Sequence, residues 1–184
     1  MNMLTFILLI IAIAAIVLAV VLLVQRNRSR RLRRKFGVEY DRMAAERGIP
    51  RAENELRDRE KRVQKYHIRP LTQDERSRFA SAWRVAQEHF VEDPRMAVSE
   101  ADDLVTRVMT ARGYPMRDFD RTAEDLSVDH GTVVQNYRAA HNIAVRDRQS
   151  PVDTEDLRRA MVHYRTLYES LIGERVNEPV AVRA

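Results

Sequence analysis

The sequence predicts an all-α protein with an N-terminal transmembrane helix, a charged helical stalk and a small bundle of about four or five helices. A long uninterrupted apolar run near the start indicates the transmembrane helix. Beyond it, apolar residues recur three and four positions apart, as on one face of a helix. Glycine is rare, with five residues in 184, and no segment alternates as a strand would. Together these features favour helices throughout.

The apolar run is Leu4–Val24, in which Thr5 is the one polar residue. A helix of this length would be about 31 Å long, which matches a hydrocarbon core of about 30 Å. A cleaved signal peptide is the alternative, but it needs a charged start, a shorter run and small residues before the cleavage site. Here residues 1–3 carry no charged side chain and the run ends directly in arginines. We therefore expect an uncleaved transmembrane helix at 4–24, after a short external N-terminus at 1–3.

A basic juxtamembrane segment follows at residues 25–35 and contains no acidic residue. Cationic flanks stay on the cytoplasmic side, so we expect the N-terminus outside and the rest of the chain in the cytoplasm, at the inner (plasma) membrane. We expect the segment to serve as a topology signal, in preference to a dedicated sensor of anionic lipid, and to lie at the membrane surface. Its basic residues are Arg26, Arg28, Arg30, Arg31, Arg33, Arg34 and Lys35.

The charge balance disfavours a nucleic-acid partner for the rest of the chain. The chain has a net charge of +5, of which the basic segment supplies seven positive charges, so residues 36–184 carry −2. Proteins that bind DNA or RNA gain much of their affinity by neutralising phosphates.

The chain also has no cysteine, which excludes disulfides and thiolate zinc sites. No glycine-rich phosphate-binding loop is present.

Residues 36–70 are predicted to form a charged helical stalk. Phe36–Gly48 is expected to form a short helix that ends at its glycine. Pro50–Pro70 has alternating charges and few apolar residues, as on a solvated helix. This stretch could be a simple stalk or half of a coiled coil, and the sequence leaves both open.

Residues 71–173 are predicted to form the bundle, followed by a flexible tail at 174–184. Thr72 and Glu75 have the spacing of a capping box, and Asp93-Pro94 is a typical helix start. Asp129 and Asp153 are predicted as the N-caps of the last two helices, whereas Gly113 ends an earlier one. Phe79, Trp83, Ala86 and Phe90 form an apolar stripe that we expect to face the core.

The segment AEDLSVDHGTV, residues 123–133, resembles the region-four-like helix-turn-helix of sigma factors. It departs from the usual pattern at Thr122, at Ser127 in place of the turn glycine, and at Asp129 in place of serine. The resemblance implies a membrane-tethered DNA-binding regulator that uses residues 117–146. The acidic start of the second helix favours instead an ordinary capped helix within the bundle.

No catalytic, cofactor-binding or metal-binding residues are predicted. His130 and His141 lie about 16 Å apart along one predicted helix, so they cannot bind the same ion, and no histidine has a partner four positions away. Paired carboxylates are present without a nucleophile and base beside them, which makes a carboxylate- or metal-dependent enzyme the least favoured hypothesis. A possible interaction surface comprises Tyr114, Pro115, Asp129 and His130.

The whole chain resembles a set of bacterial single-span membrane proteins that have a cytosolic all-helical domain and no known activity. The segments that carry the resemblance are FGVEYDR, RPLTQDERSRFASAW, DDLVTRVMTARGYP, DLSVDH and VHYRTLYE. The resemblance does not indicate any particular activity. We therefore expect a membrane-anchored protein whose partners are the lipid bilayer and a second protein, and whose cytosolic domain serves as an interaction or scaffold module.

Overall fold

A computed structural model describes residues 3–173 of the chain, and within this range it contains eight α-helices and no strand. The prediction of an all-α protein is confirmed. The predicted tail at 174–184 and the first two residues lie outside the described range. The helices are α1 (Met3–Phe36), α2 (Val38–Arg47), α3 (Ile49–Val63), α4 (Gln73–Glu92), α5 (Pro94–Ala111), α6 (Phe119–Asp129), α7 (Val134–Gln149) and α8 (Thr154–Gly173).

Helix α1 is long and apolar enough to cross a membrane. It is continuous over 34 residues, and its most apolar stretch has a mean hydropathy of 2.3. Every described side chain from Ile10 to Val24 is exposed, so this part of α1 packs against nothing else in the described chain. The helix continues through the basic segment to Phe36. The arginines of that segment therefore project from the same continuous helix as the apolar residues.

Residues 36–70 do not extend away from the bundle as the predicted stalk would. Helices α2 and α3 form a hairpin that packs against the end of α1 and against α6. This hairpin shares a small hydrophobic core with the end of α1 and with Val128 of α6, and Gly37 and Gly48 make its turns with φ of 53° and 79°. The sparse apolar residues suffice because each helix buries only one narrow face. The buried members of this core are Leu32, Phe36, Tyr40, Met43, Ala52, Leu56, Val63 and Val128.

A short connector joins the hairpin to the second half of the chain. The backbone N–H of Arg69 donates to the carbonyl oxygen of Arg112 at 2.8 Å. Gly113 has a φ of 93°, and a Cβ there would lie 2.4 Å from the carbonyl oxygen of His67. Only glycine can end α5 at this position, because the connector passes directly against its backbone.

Helices α4 to α8 share the larger hydrophobic core of the described chain. Trp83 is buried, as predicted, and its ring stacks on Tyr168 with centroids 4.7 Å apart. The predicted capping box of Thr72 and Glu75 is present. Asp93 also caps its helix as predicted, by accepting from two backbone N–H groups. These local signals lie entirely within a few residues of each other, which is why the sequence reveals them.

The prediction for Asp129 was wrong. Asp129 is the last residue of α6, and α7 begins at Val134, whose N-cap Val133 contributes no side-chain hydrogen bond. The side chain of Asp129 instead accepts a hydrogen bond from the hydroxyl of Tyr114 at 2.9 Å. The start of α7 needs no side-chain cap there because backbone bonds from Val133 and Val134 to His130 tighten the turn.

Candidate functional site

The segment that resembles a helix-turn-helix lies at the junction between the end of α1 and the rest of the chain. Its two helices, α6 and α7, are joined by a tight turn at residues 130–133. Ser127, which replaces the usual turn glycine, lies inside α6 and is fully buried. No residue other than glycine has a positive φ in the described range. The turn therefore falls three residues later than the resemblance implies.

The end of α1 packs against Gly131. A Cβ at Gly131 would lie 2.9 Å from both the Cα and the carbonyl oxygen of Phe36, and 3.0 Å from the carbonyl oxygen of Lys35. Phe36 itself is completely buried. Gly131 lacks a side chain because the backbone of the membrane-side helix packs directly on it. This gives the glycine of the DHGT sequence a structural role unrelated to DNA.

A buried carboxylate, Glu39 of α2, ties α2, α3 and α7 together. Its oxygens accept hydrogen bonds from Arg42 at 2.9 Å, from Arg59 at 2.9 Å and from Arg138 at 2.6 Å. The amide of Gln135 donates to it as well, at 2.8 Å. Neither Glu39 nor Arg59 has appreciable contact with solvent. Such a cluster holds the helices in one register, because moving any one of them leaves a buried charge without its partner.

The arginines keep Glu39 ionised. Burial alone raises the pKa of this carboxyl group, but the hydrogen bonds and positive charges of Arg138 and Arg42 outweigh burial and lower the pKa to about 2. The charged form is therefore the native form at neutral pH. Charge-assisted hydrogen bonds of this kind are about twice as strong as neutral ones.

A second ionic cluster lies beside the first, on α6. Arg62 of α3 donates to Asp125 at 2.6 Å and to Glu124 at 3.1 Å. The hydroxyl of Tyr66 donates to the other oxygen of Asp125 at 2.8 Å. Acidic residues of the apparent helix-turn-helix therefore bind the α2–α3 hairpin.

Helix α7 would be the DNA-reading helix if the helix-turn-helix were functional. Its first turns pack inside the protein: Val134 and Tyr137 are buried, and Gln135 and Arg138 bind Glu39. In this arrangement, the side chains that would reach base edges are occupied within the chain. DNA could reach them only if the α2–α3 hairpin moved away.

The possible interaction surface predicted from sequence is brought together only in part. Tyr114 and His130 approach each other, with ring centroids 6.5 Å apart, and Tyr114 binds Asp129. However, Tyr114 and His130 are buried, whereas Asp129 is exposed and Pro115 is half-buried. His130 lies within hydrogen-bond distance of Ser170, at 2.8 Å. The burial of Tyr114 and His130 indicates a mainly structural role for both.

The basic residues of α1 divide into two groups. Arg33 pairs with Asp41 at 3.0 Å, and Lys35 and Arg31 both approach Glu60, at 2.8 and 3.7 Å. These three fasten α1 to the hairpin, a role that the sequence did not reveal because their partners are distant along the chain. The other four are exposed and make no ion pair with any residue in the range 3–173: Arg26, Arg28, Arg30 and Arg34.

Beside the junction lies a cleft of about 580 Å³. Its wall combines basic side chains such as Lys35 and Arg69 with acidic ones such as Glu60 and Asp129. Several of these groups already pair with each other, as Lys35 does with Glu60. The mixed charge gives the cleft no clear preference for a cation or an anion.

Residues 3–173 hold no group of three or more His, Cys, Asp or Glu side chains that could bind a metal ion. His141 stacks face to face on Phe119, with centroids 3.6 Å apart, and burial lowers its pKa. His163 is bound to Asn136 and His89 to Glu100. These histidines are spread over separate helices and serve packing and hydrogen bonding.

A shallow groove runs between α4 and α5. Two adjoining hollows of about 650 and 380 Å³ share Ala82 and Arg107 in their walls. The floor is apolar and includes Phe79, Ala86 and Leu104. Val85 at the edge is 45% exposed. Charges of both signs line the rim: Glu75, Arg78, Glu100, Asp103 and Arg107.

Comparison with known proteins gives no relative for this chain. No protein-family model, no curated protein and no solved structure matches it.

Proposed function

We propose that the chain is a single-span protein of the inner membrane, with its N-terminus outside and its helices α2 to α8 in the cytoplasm. The observation that carries this proposal is the exposed apolar surface of α1 from Ile10 to Val24, followed directly by exposed arginines. Such a surface is stable in lipid and costly in water. The arginine flank favours the cytoplasmic side.

On this proposal, the helical bundle of about four or five helices at residues 71–173 binds another protein. The membrane helix contacts the bundle where Phe36 packs on Gly131, and the ion pairs of Lys35 and Arg33 join it to the α2–α3 hairpin, which packs on α6. A rigid connection of this kind suits a module that holds a partner at a set distance from the membrane. Residues 36–184 are slightly acidic overall, which favours protein over nucleic acid.

The surface that best supports partner binding is the α4–α5 groove. An apolar floor with charges of both signs on its rim is typical of grooves that receive an amphipathic helix. Phe79 and Val85 would contact the apolar face of that helix, while Arg107 and Asp103 would bind acidic and basic side chains beside it. We therefore propose an amphipathic helix of a partner protein as the occupant.

Site-specific photocrosslinking in living cells tests this assignment. A photoreactive amino acid is placed at Val85 of the full-length chain, and in a control at Val162, an exposed valine of α8. We expect one defined protein adduct from position 85 and none from position 162. The adduct should disappear when Ala82→Arg fills the groove. Equal adducts from both positions, or an adduct that survives Ala82→Arg, would exclude the groove as the binding surface.

The alternative function is a membrane-tethered DNA-binding regulator, for which the connection of α6 and α7 by a tight turn is the supporting observation. Titration of DNA into the detergent-solubilised full chain separates the two proposals. The regulator hypothesis predicts binding that weakens steeply as salt rises and that Arg138→Glu weakens further. The protein-interaction proposal predicts no binding beyond that of the exposed arginines of α1, which Arg138→Glu would leave unchanged.

A further inference from the structure

The chain returns toward the membrane after it leaves α1. Helix α2 runs antiparallel to the end of α1: Asp41 near its start pairs with Arg33, whereas Ala44, further along α2, lies with Arg26 in the wall of a groove of about 410 Å³. Helix α3 then runs the other way, because Ile49 at its start lines the same groove and Glu60 near its end binds Lys35. The α2–α3 turn therefore lies beside Arg26.

That position is at the membrane surface if α1 spans the bilayer, so this inference rests on the proposed membrane anchorage. Arg26 comes two residues after Val24, the last residue of the apolar run, which is about 3 Å along the helix axis. The headgroup layer of one leaflet is about 5–8 Å thick. The α2–α3 turn, Arg26 and Arg28 thus lie within the same layer, and Arg30, about 9 Å along the axis, reaches it with its long side chain.

The side chains of the turn have the chemistry of a lipid contact. Ile49 is 55% exposed, although it belongs to a type of residue that usually lies in a core. Pro50 beside it is exposed, and an exposed arginine flanks the pair on each side, Arg47 and Arg51. An apolar tip between two cations is the pattern that binds the boundary between headgroups and acyl chains.

The acidic residues near the turn cancel only part of the positive charge there, which also includes Arg26, Arg28 and Arg30 of α1. Glu46 binds Arg42 at 2.7 Å, and Glu53 accepts from the hydroxyl of Tyr40. Glu55 approaches Arg47 at 3.6 Å, but it also approaches the buried Arg59 at 3.5 Å. Together with Arg26 and Arg30 of α1, the tip presents a cationic face toward the bilayer.

We propose that the α2–α3 turn is a second membrane contact. Ile49 enters the boundary between the headgroups and the acyl chains, and Arg47 and Arg51 bind anionic phospholipid headgroups together with Arg26 and Arg30. Because the hairpin is packed on α1, α6 and α7, two contacts with one bilayer fix the angle of the helical domain relative to the membrane. A single helix alone would leave that angle free.

Spin-label depth measurements on the full-length chain in vesicles test this contact. The chain has no cysteine, so Ile49→Cys, Leu18→Cys and Val91→Cys each give one labelling site. We expect the label at position 49 to collide more often with oxygen dissolved in lipid than with a water-soluble nickel chelate. This preference for oxygen should be smaller than that of the label at position 18. The label at 91, on α4, should report water. If the label at position 49 is as accessible to the chelate as the label at position 91, while the label at position 18 lies in lipid, the membrane contact of the turn is overturned but the anchorage of α1 is not. If the label at position 18 lies in water, the anchorage itself is overturned.

The lipid preference is tested with the same label. In vesicles of phosphatidylcholine and phosphatidylglycerol, Arg47→Glu or Arg51→Glu should lower the ratio of oxygen collisions to chelate collisions of the label at position 49. We expect a decrease of about fivefold or more, which is the loss expected for one arginine at an anionic surface. Arg51→Lys should keep the ratio near that of the parent. Vesicles of phosphatidylcholine alone should also reduce it. If charge reversal and lipid composition leave the ratio unchanged, the binding of anionic headgroups is excluded.

Discussion

The backbone of Phe36, the last residue of α1, packs directly against Gly131, in the turn between α6 and α7. A side chain at Gly131 would collide with two backbone atoms of Phe36 at 2.9 Å. The contact joins residues 95 positions apart along the chain and fastens the apolar helix to the helical domain. It also explains the glycine in the segment that resembles a helix-turn-helix without any reference to DNA.

Gly131→Ala should loosen this junction, because neither backbone can yield as a flexible side chain would. We expect the free energy of unfolding to fall by about 1–3 kcal/mol, the usual cost of overpacking, as measured by thermal unfolding of the solubilised chain. Gly173→Ala is the control, since a Cβ at that position would meet nothing within 4 Å. Equal stability of the two variants would show that the Phe36–Gly131 contact is looser than described.

Removal of the charge on Glu39 should destabilise the hairpin. Glu39→Gln removes the nearest anionic partner of the buried Arg59 and leaves it only the longer pairs with Glu124 at 3.4 Å and Glu55 at 3.5 Å. Breaking a buried ion pair from one side costs up to about 3–5 kcal/mol. Glu46→Gln removes an exposed carboxylate that binds the same Arg42, and we expect it to cost less than about 1 kcal/mol. Chemical denaturation of both variants measures the difference. Similar losses would contradict a special role for the buried carboxylate.

The same residue should make stability depend on acidity. The pKa of Glu39 is lowered to about 2 from an ordinary value of 4.5, so the folded state favours the charged form. Its contribution is present above pH 4.5 and is lost as the pH falls from 4.5 toward 2. The unfolding free energy of the parent should therefore decrease over this range more steeply than that of Glu39→Gln. Parallel curves for the two proteins would contradict this explanation.

Two buried tyrosines of α8 should respond differently to loss of their hydroxyl groups. The hydroxyl of Tyr164 donates to Asp102 at 2.9 Å, and hydrogen bonds to charged groups contribute about 1.5–3 kcal/mol. The buried hydroxyl of Tyr168 has no hydrogen-bond partner among residues 3–173. We expect Tyr164→Phe to destabilise the chain by about that amount and Tyr168→Phe to leave it unchanged or more stable. The fluorescence of the single tryptophan, Trp83, which stacks on Tyr168, follows unfolding. A larger loss for Tyr168→Phe would contradict this assignment.

Features that depend on neighbours in sequence were predictable. The caps at Thr72 and Asp93, the glycine at 113 and the burial of Trp83 all follow from spacing within one or two helical turns. The run of apolar residues in α1 that is long enough to cross a membrane was equally recognisable from composition.

The α2–α3 hairpin was missed because its stability depends on charged residues that sequence patterns assign to solvent. Glu39 and Arg59 are among the types least often buried, and the partners that join them to other helices lie 20 to 99 positions away. Asp129 was assigned as a cap because its position before a helix resembles one, whereas its real partner, Tyr114, comes from the preceding loop. Neither relationship has a local signature that could be read from the chain.

The orientation of α1 is the claim on which the account depends, and thiol labelling in cells tests it directly. Because the chain has no cysteine, each of two variants carries a single thiol. Asn2→Cys places it on the proposed outer side of the membrane, and Val162→Cys places it on the proposed cytoplasmic side. A membrane-impermeant maleimide should label position 2 in cells with a permeabilised outer envelope and an intact inner membrane, and should label position 162 only after that membrane is opened. Labelling of position 162 before opening, or recovery of the chain in the soluble fraction, would contradict the account.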